Sequence, residues 1–156
     1  MKCRLIAAGT RLPDWINTGF REYQKRLRTP IELELQEIPL AARRAGEQPH
    51  RAIAREGADM LAALTPKDYV VVLEIAAKAR STEQLSRWLA ERMRDGRPLA
   101  LLIGGPDGLS PACRERADES WSLSPLTLPH ALVRVVVAEQ LYRASSLLAG
   151  HPYHRA

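Results

Sequence analysis

The sequence predicts an α/β protein built on a mostly parallel sheet flanked by helices. Three observations carry that prediction. Short apolar runs of strand length alternate with amphipathic stretches of helical length along the 156 residues. The run Tyr69-Val70-Val71-Val72-Leu73-Glu74-Ile75 is rich in β-branched residues, as in a strand buried on both faces of a parallel sheet. The run Leu99 to Ile103 empties into Gly104-Gly105-Pro106-Asp107-Gly108, and open α/β sheets bind their ligands at such strand ends.

In chain order, Lys2 to Ala8 reads as a first strand, closed by Gly9-Thr10. Asp14 is placed to cap a helix from Trp15 to about Arg28, with Ile16, Phe20, Tyr23 and Leu27 as its apolar stripe. Ile31, Leu33 and Leu35 alternate with polar residues, the pattern of a half-buried edge strand. Pro39 to Pro49 is a polar, basic loop with Arg43 and Arg44, expected to be mobile and a candidate RNA contact. A second helix places Ile53, Gly57, Met60 and Leu64 on one face. Ser81 and Gln84 form a capping box for a helix over 82–94, which Asp95-Gly96 ends. Ser110 caps a short helix with Pro111 in its first position. Trp121 to Ser124 reads as a short fifth strand. The last helix, roughly Leu132 to Leu148, is apolar on two faces, which implies burial in the core or in a subunit interface.

Composition sets the outer bounds. Apolar residues at 46% and charged residues at 26% are ordinary for a globular chain, and a single domain over 1–156 is expected. The net charge of +5 is concentrated toward the two ends and is compatible with a polyanionic partner without requiring one. Cys3 and Cys113 make no disulfide framework and read as small buried hydrophobes. No signal peptide and no run of membrane-spanning length is visible, so a cytoplasmic protein with no membrane partner is expected. His151 and His154 have no third ligand in view, so no metal is expected.

The glycine cluster matches no Walker loop, dinucleotide fingerprint or hydrolase elbow, and by itself it is consistent with a plain turn. Leu123-Ser124-Pro125-Leu126-Thr127-Leu128 offers main-chain N–H and C=O groups around small and apolar side chains, with no Lys or Arg. That composition suits a flat, neutral, hydrogen-bonding ring such as adenine on a ligand that is itself cationic. A plain strand-to-helix connection has the same composition.

Several ordered motifs narrow the choice. Leu101 to Ser110, Trp121 to His130, the stretch Leu132 to Ala144 and the terminal His151-Pro152-Tyr153-His154-Arg155, with Pro13-Asp14-Trp15 and Gly19-Phe20 near the start, closely resemble the large-subunit ribosomal RNA pseudouridine N3-methyltransferase family. This is the small, single-domain branch of the SPOUT methyltransferases. The resemblance implies a deep C-terminal trefoil knot around an S-adenosylmethionine site, where general rules predict an unknotted sheet. It also implies a homodimer and methylation of N3 of a pseudouridine in 23S ribosomal RNA. Because the chain has no separate RNA-binding domain, the assembled ribosome is the expected substrate. By position, the cofactor pocket falls on Leu73, Gly104, Leu123, Ser124, Pro125, Leu126, Thr127 and Leu128. One departure stands beside it: Ala77 occupies the place where the family usually has Gly before Lys78.

Methyl transfer from a sulfonium needs the acceptor aligned and the N3 proton removed. His130, Arg134, Tyr153, His154 and Arg155 are the catalytic or substrate-binding candidates. The tail residues combine a stacking ring, a titratable ring and a guanidinium, the parts needed to hold one base and its phosphate. Arg143 is expected to pair with Glu139 one helical turn earlier.

Overall fold

A computed structural model describes residues 1–155; the side chain of His154 lies outside the described part. Five strands, β1 (Lys2–Ala8), β2 (Glu32–Ile38), β3 (Tyr69–Leu73), β4 (Leu99–Ile103) and β5 (Glu119–Trp121), form one sheet in the order β2-β1-β4-β3-β5. Every pairing is parallel, with Cys3 opposite both Leu33 and Leu99, and Val71 opposite both Leu101 and Glu119. All their C-terminal ends therefore open on the same side.

Side-chain alternation sorts the core into two layers. Cys3, Leu5, Ala7, Val71, Leu99, Leu101 and Ile103 point into one apolar cluster. Ile6, Ala8, Val70, Val72, Ala100 and Leu102 point into the other. The first layer includes α1 (Asp14–Gln24), α3 (Thr82–Asp95) and α5 (His130–Leu148); the second includes α2 (Pro49–Ala62) and α4 (Pro111–Arg116). Every residue of β4 is buried, which accounts for its unbroken apolar sequence. Both cysteines are free and buried.

Local signals act where they are strongest. Ser81 and Gln84 form the reciprocal capping box, and Gly96 ends α3 with φ +77°. The Ser110 hydroxyl accepts the Cys113 N–H, with Pro111 in the first turn of α4. Gly57 lets α4 lie close on α2, where an added Cβ would overlap the Ser110 side chain.

Three boundaries differ from the sequence expectation. Pro13 rather than Asp14 caps α1, Asp14 forms no side-chain cap bond, and the helix stops at Gln24. Leu27 is still buried beyond that end, so its apolar character does not report helix. β5 lies two residues earlier than expected, because pairing with β3 ends at Trp121 and Ser122 turns the chain. On α2 the buried face is Ala52, Glu56, Gly57 and Met60, one step round from the expected stripe.

The loop after β2 is fastened rather than free. Arg43 pairs with the buried Glu56 of α2 and, at 2.9 Å, with Asp107 of the glycine loop. Arg55 pairs with Glu47 and donates to Ala42 O at 2.7 Å. In this structure Arg43 spends its guanidinium inside the protein.

Candidate functional site

The C-terminal ends of β3 and β4, the glycine loop, the 122–129 segment and the start of α5 enclose a cavity of about 480 Å³. Leu73, Gly104, Leu123, Ser124, Leu126 and Leu128 line it. Pro125 and Thr127 are exposed on the same loop and do not.

Gly104 leaves β4 with its Cα against the returning turn. A Cβ there would stand 2.5 Å from the Gly108 carbonyl carbon and 2.8 Å from the Leu109 nitrogen. Backbone cannot give way as a flexible side chain can, so only glycine fits. The turn is closed by the Gly108 N–H donating to Gly105 O at 3.0 Å, with Gly108 at φ +87°.

The opposite wall is held by two serines. The Ser122 hydroxyl accepts the Ser124 N–H (3.2 Å) and donates to Ser124 O (2.9 Å), and Ser124 Oγ accepts the Leu126 N–H at 3.0 Å. The Ser122 N–H donates to Lys78 O, tying this loop to the one after β3. The N–H groups of Leu123 and Leu128 have no hydrogen-bond partner among the described residues. A slot with apolar walls and available main-chain donors fits a heterocycle with ring acceptors.

Glu74, Ile75 and Arg114 also line the cavity and were missed from the sequence. Glu74 and Ile75 read as the continuation of β3, but the strand ends at Leu73 and they become wall. Arg114 reaches the cavity from α4, and its Nε donates to Glu74 Oε1. Ala77 does not line the cavity; its N–H closes a turn on Glu74 O at 3.3 Å, and its φ is not positive, so its Cβ sits there without strain.

The five catalytic or substrate-binding candidates fall in three places. His130 opens α5 and lines the cavity. Burial, with the nearby Arg134 guanidinium second, pushes its pKa below the usual imidazole value. Arg134 is 1% exposed and faces inward. It donates to Glu37 Oε2 (2.6 Å), Gly9 O (2.7 Å) and Ala8 O (3.2 Å), clamping the ends of β1 and β2. In this chain it is a brace behind His130 rather than an open substrate contact.

The tail returns along α5. Pro152–His154 forms a single 3-10 turn, the Tyr153 hydroxyl hydrogen-bonds Glu139 at 3.2 Å, and the Tyr153 ring lies 4.6 Å from that of Tyr142. Burial, followed by the hydrogen bond to Tyr23 and the charge of Glu139, raises the Tyr153 pKa. Glu139 also accepts from Arg143 at 2.8 Å, as the spacing predicts. Arg155 is exposed. Glu139 is nine residues beyond His130, about 14 Å along a helix, so the structure does not bring the tail to the cavity of its own chain.

An all-parallel α/β sheet with a cavity at the C-terminal ends of its strands is the arrangement in which open α/β proteins bind their ligands. The family model described as "Predicted SPOUT methyltransferase" matches residues 1–154, and the chain belongs to that family. Two relatives, each named ribosomal RNA large subunit methyltransferase H, come from Alkalilimnicola ehrlichii and Hahella chejuensis. The first is 57% identical over 156 residues, the whole of both chains. The second is 51% identical over 155 residues, 99% of each. A crystal structure of a methylase-family protein from Neisseria gonorrhoeae has the same fold, with a TM-score of 0.54 at 16% identity, covering 90% of this chain and 81% of that one.

Proposed function

We propose that this chain transfers the methyl group of S-adenosylmethionine to N3 of a pseudouridine in large-subunit ribosomal RNA, on the assembled ribosome, as a cytoplasmic homodimer. The observation that carries the reading is full-length identity of 57% to a protein named for ribosomal RNA methylation, together with a slot at the expected strand ends. Family membership supports a knotted C-terminal half, and the 122–129 segment within that half walls the slot. Among the described residues no helix is long and apolar enough to cross a membrane, and no cluster of three metal-ligating side chains occurs.

The cofactor, when bound, supplies a methyl group already activated by its sulfonium. The chain's own residues do the rest. Main-chain groups at Leu123 and Leu128 would hold the adenine, with the glycine turn at Gly104 forming the facing wall. Fixing donor and acceptor in line supplies about 7–11 kcal/mol in favourable cases. His130, neutral near physiological pH, accepts the proton that leaves N3, and Arg134 holds the backbone ends that surround it. In the homodimer, Tyr153, His154 and Arg155 of one copy hold the acceptor base and its phosphate at the cavity of the other.

Titration calorimetry tests the slot. Gly104→Val is expected to abolish S-adenosylmethionine binding while circular dichroism and dimer mass persist; unchanged affinity rejects the pocket. Removing Tyr153 to Ala156 is expected to spare cofactor affinity and remove methylation of ribosomes. Full activity of the trimmed chain rejects the tail's role. An RNA-binding factor without enzymatic activity would bind RNA with steep salt dependence and take up no cofactor.

A further inference from the structure

We infer that Glu74 and Arg114 receive the amino-acid end of the cofactor, Glu74 taking its ammonium and Arg114 its carboxylate. The inference rests on the cavity being the S-adenosylmethionine site. That cofactor has three chemically distinct parts: a neutral nucleoside, a sulfonium, and a zwitterionic amino acid carrying one charge of each sign. The 122–128 wall has no ionised side chain to meet the zwitterion. Among the described lining residues, Glu74 and Arg114 alone are formally charged, His130 being held toward its neutral form.

The two come from different elements and meet at the cavity wall. Glu74 follows the last residue of β3, and its own N–H is pinned to Trp121 O at 3.1 Å. Arg114 stands on α4 and reaches Glu74 through Nε. Their side chains are 24% and 49% exposed, so the carboxylate is seated and the guanidinium has room to swing.

An ion pair and a zwitterion are complements. Inserting the ligand's ammonium and carboxylate between the two side chains exchanges each partner for one of equal charge. Neither charge is left bare, so the pair opens without the penalty of stranding a buried ion. A ligand with a nucleoside but no amino acid leaves the pair closed and gains nothing from it. The pair therefore selects for the complete cofactor over its nucleoside fragment.

Three probes separate the parts: S-adenosylmethionine, S-adenosylhomocysteine, which keeps the zwitterion without the sulfonium, and 5′-methylthioadenosine, which has neither. Calorimetric affinities are measured on the full chain and on Glu74→Gln, Arg114→Gln and Arg114→Lys, with thermal melting to confirm folding. Both Gln variants are expected to weaken the two amino-acid ligands about tenfold or more while 5′-methylthioadenosine stays within about twofold, and Arg114→Lys is expected to recover part of the loss. Equal weakening of all three probes, or no weakening, overturns the inference. So does a Glu74→Gln effect on S-adenosylmethionine that is absent for S-adenosylhomocysteine, because Glu74 would then face the sulfonium. Gly104→Val serves as the reference. If it keeps all three ligands, the cavity assignment fails; if it loses all three while the Glu74 and Arg114 variants bind normally, only this inference fails.

Discussion

His130 shows how a residue's surroundings decide its chemistry. It opens α5 beside Gly9, where a Cβ on the glycine would meet its Nε2 at 3.6 Å, and burial with Arg134 nearby favours its neutral form. Its folded pKa lies below the unfolded value, so the unfolded chain takes up the proton first. As pH falls through the ordinary imidazole range, stability is lost, and the loss levels off once pH is below the folded pKa. The thermal midpoint is therefore expected to drop as pH falls through the unfolded imidazole value of about 6.5, and His130→Asn is expected to flatten that slope. A slope unchanged by the substitution would show that other groups carry it. Gly104, Leu123 and Leu128 were picked out by the family resemblance; their composition alone fits a plain turn and a plain strand-to-helix connection equally well. The inward placement of Arg134 was not legible: its partners Glu37, Ala8 and Gly9 lie about a hundred residues away, and nothing in a helix sequence distinguishes an inward arginine from a solvated one.

Elements read well where their signals are local. The capping box of α3, the Ser110 cap of α4 and the buried run of β4 follow from a few adjacent residues. The β2–α2 loop reads poorly because its restraint comes from Asp107, 64 residues downstream of Arg43. Arg43 joins three pieces of chain: its own loop through Ala41 O (2.7 Å), α2 through Glu56, and the glycine turn through Asp107. Glu56 is 3% exposed and also accepts the Ala41 N–H at 3.1 Å. Arg43→Ala strands that carboxylate and frees the turn, at a cost on the order of 2–4 kcal/mol, somewhat less than for a fully buried pair because Arg43 is partly exposed. Chemical denaturation should show the loss together with a weaker cofactor affinity, and adding Glu56→Gln should restore much of the stability without restoring the affinity. If the single variant melts and binds like the parent, the loop does not brace the turn.

At the scale of the whole molecule, the last helix has more apolar surface than one chain covers. Val137, Leu141 and Ala144 are buried against the sheet, and Val133, Val135 and Tyr142 pack against that core. Leu132 and Val136, one turn apart, belong to neither core cluster and are only half-buried. Trp15, in the first turn of the neighbouring α1, is 63% exposed. Apolar surface on the elements beside the cavity is what a second copy of the chain would cover. A copy docked there also accounts for a tail that lies about 14 Å along α5 from its own cavity: across a two-fold axis it is free to serve the other one. Leu132→Asp with Val136→Asp places two charges in that contact while leaving the sheet-facing stripe intact. Light scattering should give the parent a mass near twice 17.4 kDa and the double variant a mass near that of one chain, with its circular dichroism preserved. The monomer should also lose methylation while retaining S-adenosylmethionine binding, if the acceptor site is completed by two chains. A parent that runs as a single chain, or a double variant that remains dimeric, would place the subunit contact elsewhere or remove it altogether.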